Sequence, residues 1–285
     1  VMNFADRELV VKDYVTDENL SAVITILDTL TDSKLVKLAF RLVFDKYVSP
    51  MFDEMDEFVQ DLANLDGYSD DALFADLDAL VEVLRQLEAI DAVGIYRGEA
   101  IDYANTAVVE TILTKVLTLN YIDVKRTVLF DFAKDMLPDI DFSEVDINNV
   151  DFAHDASLLA DAYEALVPVL MDEDNPFKST TDIFDFINGE FAFYFMELID
   201  NANLYSVLDA LEAILSTTLV EQGLPVGLAM AKDFVPDQYA FLANTDNLTT
   251  QEVVADLLQV VEALRLVVSA GLVDYYFNNS LDLIA

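Results

Sequence analysis

Leu77-Asp78-Ala79-Leu80-Val81-Glu82-Val83-Leu84-Arg85 comes back as Leu257-Leu258-Gln259-Val260-Val261-Glu262-Ala263-Leu264-Arg265. Between them lies Tyr163-Glu164-Ala165-Leu166-Val167-Pro168-Val169-Leu170, at successive offsets of 86 and 94 residues. In each stretch apolar side chains recur at i, i+3, i+4 and i+7, the spacing that lines one face of a helix. A second element alternates with the first. It closes as Phe44-Asp45-Lys46-Tyr47-Val48-Ser49-Pro50, then Phe132-Ala133-Lys134-Asp135-Met136-Leu137-Pro138, then Met230-Ala231-Lys232-Asp233-Phe234-Val235-Pro236, at offsets of 88 and 98. Two independent elements that keep step along a chain argue against coincidence. They predict tandem units of roughly 85 to 98 residues.

The expected fold is therefore all-α, a tandem array of helical repeat units whose antiparallel helices pack against sequence neighbours. Its divisions fall at 1–66 (a partial unit), 67–154, 155–247 (a unit with an insertion) and 248–285 (a partial unit). The second element starts at Val23, breaks at the capping residues Thr31-Asp32-Ser33 and resumes over Lys34–Val48. Its copies are expected to break near Asn120–Asp123 and near Gln222–Pro225. The last helix is expected over Val253–Val268, with apolar Tyr275-Tyr276-Phe277 behind it. Period-2 alternation of strand type occurs only in Asp139–Phe152, read as an extended surface linker. Linkers are also expected at Asp66–Asp71 and Asn244–Thr249, and the insertion is Met171–Pro176. The chain opens inside the second element and closes shortly after the first, as expected of a stretch cut from a longer array.

Charge removes several function classes. There are 54 acidic and 15 basic residues, a formal net charge of −39. Phosphate backbones and anionic membrane surfaces are bound by clustered Lys and Arg, so nucleic acid and anionic membranes are excluded as partners. With no Cys, thiolate metal sites, disulfides and Cys nucleophiles are ruled out. The longest run without a charged residue is ten, Gln222–Ala231, about half of the roughly 20 needed to span a bilayer.

Catalytic patterns are missing too. The single His154 cannot supply the paired Glu-x-x-His motifs of a di-iron bundle, and beside a helix start it reads as a capping or solvent residue. The seven glycines form neither a Gly-x-Gly-x-x-Gly nor a Gly-Lys-Ser/Thr loop. Lys46, Lys134 and Lys232 each precede a proline by four residues, where a cation complements a helix C-terminus. Phe191-Ala192-Phe193-Tyr194-Phe195-Met196 reads as a buried helical core. The Asn-x-Ser/Thr triplets at Asn19, Asn247 and Asn278 matter only in a secretory context. Tetratricopeptide, ankyrin and leucine-rich signatures are absent.

Of the 54 carboxylates, 37 belong to Asp, which serves caps, turns and hard cations rather than helix interiors. Calcium is the one ligand this composition invites. The candidate ligands are Asp139, Asp141, Glu144 and Asp146, followed by Asp172, Glu173 and Asp174, although neither stretch has the spacing of an EF-hand. The expected function is a non-enzymatic structural or adhesive repeat module of an extracellular or cell-surface bacterial protein, acting through a protein partner or self-association. The alternative is an intracellular helical-repeat scaffold that binds a protein partner, favoured by an exposed apolar stripe. The third reading, a carboxylate enzyme, predicts a deep cleft holding buried acids.

Overall fold

The computed structural model describes residues 15–53, 55–136, 142–143, 145–173, 175–187, 203–232 and 249–271. The described α-helices are α1 (Asp17–Asp32), α2 (Lys34–Val43), α3 (Glu57–Ala63), α4 (Asp70–Ala89), α5 (Ala92–Tyr96), α6 (Thr106–Leu117), α7 (Asn120–Met136), α8 (Phe152–Leu170), α9 (Thr180–Ile187), α10 (Leu204–Leu215), α11 (Thr218–Lys232) and α12 (Thr250–Ser269). No strand occurs among the described residues, so the protein is all-α. The chain divides into two compact units, Val1–Asp102 with Thr111–Leu137, and Tyr103–Glu110 with Pro138–Ala285.

In the first unit α4 is the central element, packed on α1, α2, α5 and α7. Ser69 starts it by accepting the Ala72 N–H at 3.1 Å, and Asp70 and Asp71 place negative charge on the positive end of the helix dipole. Its face buries Leu73, Phe74, Val81 and Val83, each of which contributes about 1.5–3 kcal/mol by leaving water. Ile24 of α1 is buried as well, and the Phe40 ring of α2 meets Phe74 edge-on at 5.7 Å. One residue separates α1 from α2. Ser33 ends the first helix and starts the second, its hydroxyl accepting the Val36 N–H at 3.3 Å.

In the second unit α10 packs on both α8 and α12, and α11 packs on the same three. Val169 of α8 and Val207 of α10 form a buried pair with Leu166 against it. Thr249 and Glu252 cap each other's backbone at the start of α12, a reciprocal capping box. Val253 and Val261 of α12 are buried.

The three helical elements read from the sequence lie in α4, α8 and α12; the first copy of the alternating element runs through α2 and closes in a π-helical turn, Phe44–Val48, and the described residues of the later closings lie in α7 and α11. Two expected breaks move. The helix over Gln222–Pro225 is continuous, Pro225 lying inside α11, and the break sits at Ser216-Thr217 instead. Similarly α7 already starts at Asn120, so its break is Thr118-Leu119. In both cases a buried carboxylate described below fixes the helix start. Within the expected extended linker, Ile147–Asn149 is a 3-10 turn closed by Asp146. Of the expected linker Asp66–Asp71, residues 66–69 form the loop and Asp70 and Asp71 already belong to α4; Arg41 donates to Asp70 Oδ1 at 3.1 Å, to the Leu65 carbonyl at 3.0 Å and to the Tyr68 carbonyl. Gly67 takes φ 79° there, a left-handed conformation that a Cβ would strain.

Candidate functional site

The least expected groups are two buried carboxylates that hold the starts of neighbouring helices. Asp76 of α4 accepts the Asn120 N–H at 2.9 Å and the Asn120 amide at 2.8 Å on Oδ1. Its Oδ2 accepts the Tyr121 N–H at 2.7 Å and the Tyr68 hydroxyl. Asp155 of α8 accepts the Thr218 N–H at 2.7 Å on Oδ1, and the Thr218 hydroxyl and Leu219 N–H, both at 2.8 Å, on Oδ2. Each aspartate meets the first two N–H groups of a helix further along the chain, α7 and α11 respectively, which have no partner within that helix. The negative charge also faces the positive end of the helix dipole. A carboxylate offers about four acceptor positions. Asp76 has four donors and Asp155 three, so neither is a free general base.

Ala75-Asp76-Leu77 is matched by Ala255-Asp256-Leu257 on α12. Asp155 sets the register of α8 one heptad away from the alignment of Tyr163 with Leu77. Along α8 the stripe Asp155, Ala162, Val169 is buried, and on α4 its counterpart is Asp76 with Val83.

An ion pair recurs in the same way. Arg85 of α4 reaches Asp28 of α1 at 2.8 Å, with Glu82 one turn back at 3.9 Å. Arg265 of α12 reaches Asp209 of α10 at 2.5 Å and also Glu212, with Glu262 one turn back at 3.7 Å. These pairs are half exposed, where an isolated pair contributes about 0–1 kcal/mol. Arg265, the less exposed and the more heavily paired, contributes more. Arg265→Met should cost about 1 kcal/mol in urea unfolding and Arg85→Met about half of that. Equal costs for the two would show that the extra carboxylate adds nothing.

A polar groove of about 840 Å³ runs between the end of α2 and the loop before α4, lined among others by Arg41, Asp45, Asp53, Asp61 and Asp66. Its arginine is already held by three oxygens. Beside it Lys125, buried on α7, donates to the Asp61 carbonyl at 2.6 Å, and burial pulls its pKa down while Asp61 and Asp66 oppose the shift. Burial pushes the Tyr68 phenol up, reinforced by the hydrogen bond to Asp76 and by its charge. Burial also raises Tyr121 and Tyr103.

Among the calcium candidates, Asp139, Asp141 and Glu144 lie outside the described residues. Asp146 accepts the Asn148 N–H and amide at 3.0 Å, and its own N–H donates to Gln222 at 3.1 Å. Asp172 and Glu173 sit in the turn after α8, where the Glu173 carbonyl accepts Lys178 Nζ at 2.7 Å. Asp174 and Phe191–Met196 lie outside the described residues, as do Asn244–Asn247, Asn278 and Tyr275–Phe277. No group of three His, Asp or Glu placed to hold a metal occurs among the described residues.

His154 is exposed in the first turn of α8, its N–H donating to the Asp151 cap at 3.0 Å. Lys134 pairs with Asp131 at 2.9 Å in the last turn of α7, the predicted place for a cation. Lys46 lies instead in a π-helical turn beside the Tyr47 ring, and the side chain of Lys232 lies outside the described residues. Asn19 is in the first turn of α1.

Exposed apolar side chains concentrate on α1 with α2 and on α12, including Ile26, Leu35, Leu38, Val260 and Leu266. No described helix is long and apolar enough to cross a membrane. Compared with protein-family models, with curated proteins and with solved structures, the chain matches none.

Proposed function

We propose that the chain is a non-enzymatic structural or adhesive module, built from tandem helical units and belonging to an extracellular or cell-surface bacterial protein. The observation that carries this reading is that the buried acids among the described residues are spent on joining helices. Asp76 and Asp155, the acids an enzyme would keep free for proton transfer, are occupied by backbone donors at the starts of α7 and α11. The recurring Arg85–Asp28 and Arg265–Asp209 pairs support the repeat. Self-repulsion at −39 keeps such an array hydrated and soluble. The apolar side chains on α2 and α12 favour assembly over an inert spacer, and they equally favour the second reading, a scaffold that binds a protein partner.

Hydrogen exchange on the full chain tests the modular reading. In a stacked array each unit is stabilised by its neighbours alone. Asp76→Ala should therefore speed exchange in α4 and α7 while leaving α10 and α12 close to wild type. Equal loss of protection along the whole chain would reject modularity. Repeating the experiment in millimolar calcium, with magnesium at matched ionic strength, tests Asp139, Asp141, Glu144 and Asp146. Protection gained around 139–150 with calcium alone would assign them as ligands, and the same response to both ions would reduce the effect to screening.

A further inference from the structure

On α4, Asp76 and Val83 are buried and Leu87 is half-buried; the residues at the same positions of α12, Asp256, Ala263 and Val267, are all exposed. The contrast is confined to one face. Val81 and its counterpart Val261 are both buried, as are Leu73 and its counterpart Val253, and α4 packs on α1 as α12 packs on α10. So α12 keeps the face that meets its preceding neighbour, and exposes the face on which α4 receives the start of α7. The complementary partner lies on α2. It follows α1 after one residue, as α7 follows α6 and α11 follows α10 after two. Whereas α7 is received by α4 and α11 by α8, α2 exposes a stripe of Leu35 (78%), Leu38 (83%) and Leu42 (69%).

We propose that α12 of one copy receives α2 of a second copy, head to tail, with Asp256 accepting the first N–H groups of α2 as Asp76 does for α7. This rests on the modular reading above and names the partner of the module. Charge favours it. Lys34, Lys37, Arg41 and Lys46, set against Asp32 and Asp45, leave the segment 32–46 with a formal charge of +2 in a molecule of net charge −39. Asp256, Glu252 and Glu262 on α12 are acidic and exposed or half-exposed. The contact is heterologous, since α2 and α12 are different surfaces, so a pair of copies still carries one unused surface of each kind for further association.

Sedimentation velocity of the full chain over a wide concentration range, in salt that screens the overall repulsion, tests this. Wild type should sediment faster with concentration, without levelling at a dimer. Leu38→Glu with Leu42→Glu, and separately Val260→Glu with Val267→Glu, change exposed residues, and circular dichroism should show both variants folded. Each alone should be monomeric, and an equal mixture should form a dimer and stop, because each variant retains the other's missing face. Asp256→Ala should leave the melting temperature unchanged and weaken association at least tenfold. Wild type monomeric at every concentration would overturn the proposal, as would association that either double variant leaves intact, or a mixture that stays monomeric. Monomers whose exchange perturbations remain local would still be modules, whereas chain-wide loss of protection would reject the module itself whatever the sedimentation result.

Discussion

Asp155→Ala should lower the stability of the second unit by about 3 kcal/mol, because it leaves three donors at a helix start without their acceptor. Losing an N-cap alone costs about 0.5–2 kcal/mol, and each buried donor left unsatisfied costs about 1–3 kcal/mol. The Thr218 hydroxyl can turn to another acceptor, which keeps the total near the lower end of the sum. Deleting the carboxylate also opens a small gap at a fully buried position between α8 and α11. The melting temperature of that unit should fall by about 10 °C, at roughly 2–4 °C per kcal/mol for a unit of this size. Asp155→Asn should cost about 2 kcal/mol, since one oxygen still accepts while the amide nitrogen confronts a donor. Urea unfolding followed by circular dichroism measures both. A loss below about 1 kcal/mol for the alanine variant would mean that Asp155 does not hold the start of α11. Asp256→Ala serves as the control, being the same substitution at an exposed position of the equivalent helix.

These buried acids mark the limit of what the sequence reveals. Helices, their order and the positions of α4, α8 and α12 are legible because burial of one face imposes a 3.6-residue period on apolar side chains. The start of α2 is legible because Ser33 is a local signal that acts on its own backbone. Asp76 and Asp155 act on helices 44 and 63 residues away. No local pattern separates them from the other carboxylates of so acidic a chain. The only trace is that Ala75-Asp76-Leu77 recurs as Ala255-Asp256-Leu257, and on α12 that aspartate is exposed. The displaced breaks have the same origin. Gln222–Pro225 contains two signals that usually end helices, a Gly and a Pro. The helix nevertheless runs through them, and it starts earlier, at Thr218, where a carboxylate from α8 accepts its first N–H groups. For the same reason Arg41 was not visible as the clamp of the loop before α4: its partners are backbone carbonyls, which carry no sequence label.

Alkaline conditions should unfold the first unit well before they ionise its buried phenols. Tyr68 is held protonated by burial and by its hydrogen bond to Asp76, so its folded pKa lies above its unfolded value near 10. Between those two values the folded chain retains a proton that the unfolded chain has lost. Stability present below pH 10 is therefore lost as pH rises, at about 1.4 kcal/mol per pH unit for each such group. Tyr121, whose ring lies 5.9 Å from that of Tyr68, is raised by burial and adds to the slope. In the second unit Tyr103 acts in the same sense. Lys125 works against them: its folded pKa is lowered, so its contribution rises with pH up to its unfolded value near 10.5. The expected profile is thus nearly level to about pH 10 and steep beyond it. Urea unfolding at pH 9, 10, 11 and 11.5 should show the decline, and Tyr68→Phe should flatten it by about one group's share, after a constant loss of about 1 kcal/mol for the missing hydrogen bond. The difference in phenolate absorbance between wild type and Tyr68→Phe isolates Tyr68 from the other eleven tyrosines. If that difference appears near pH 10 in the folded protein, Tyr68 is not donating to a buried carboxylate. If it appears only together with unfolding, the phenol and Asp76 form one protonated unit at the start of α7, and alkali breaks the fold where α4 and α7 are joined.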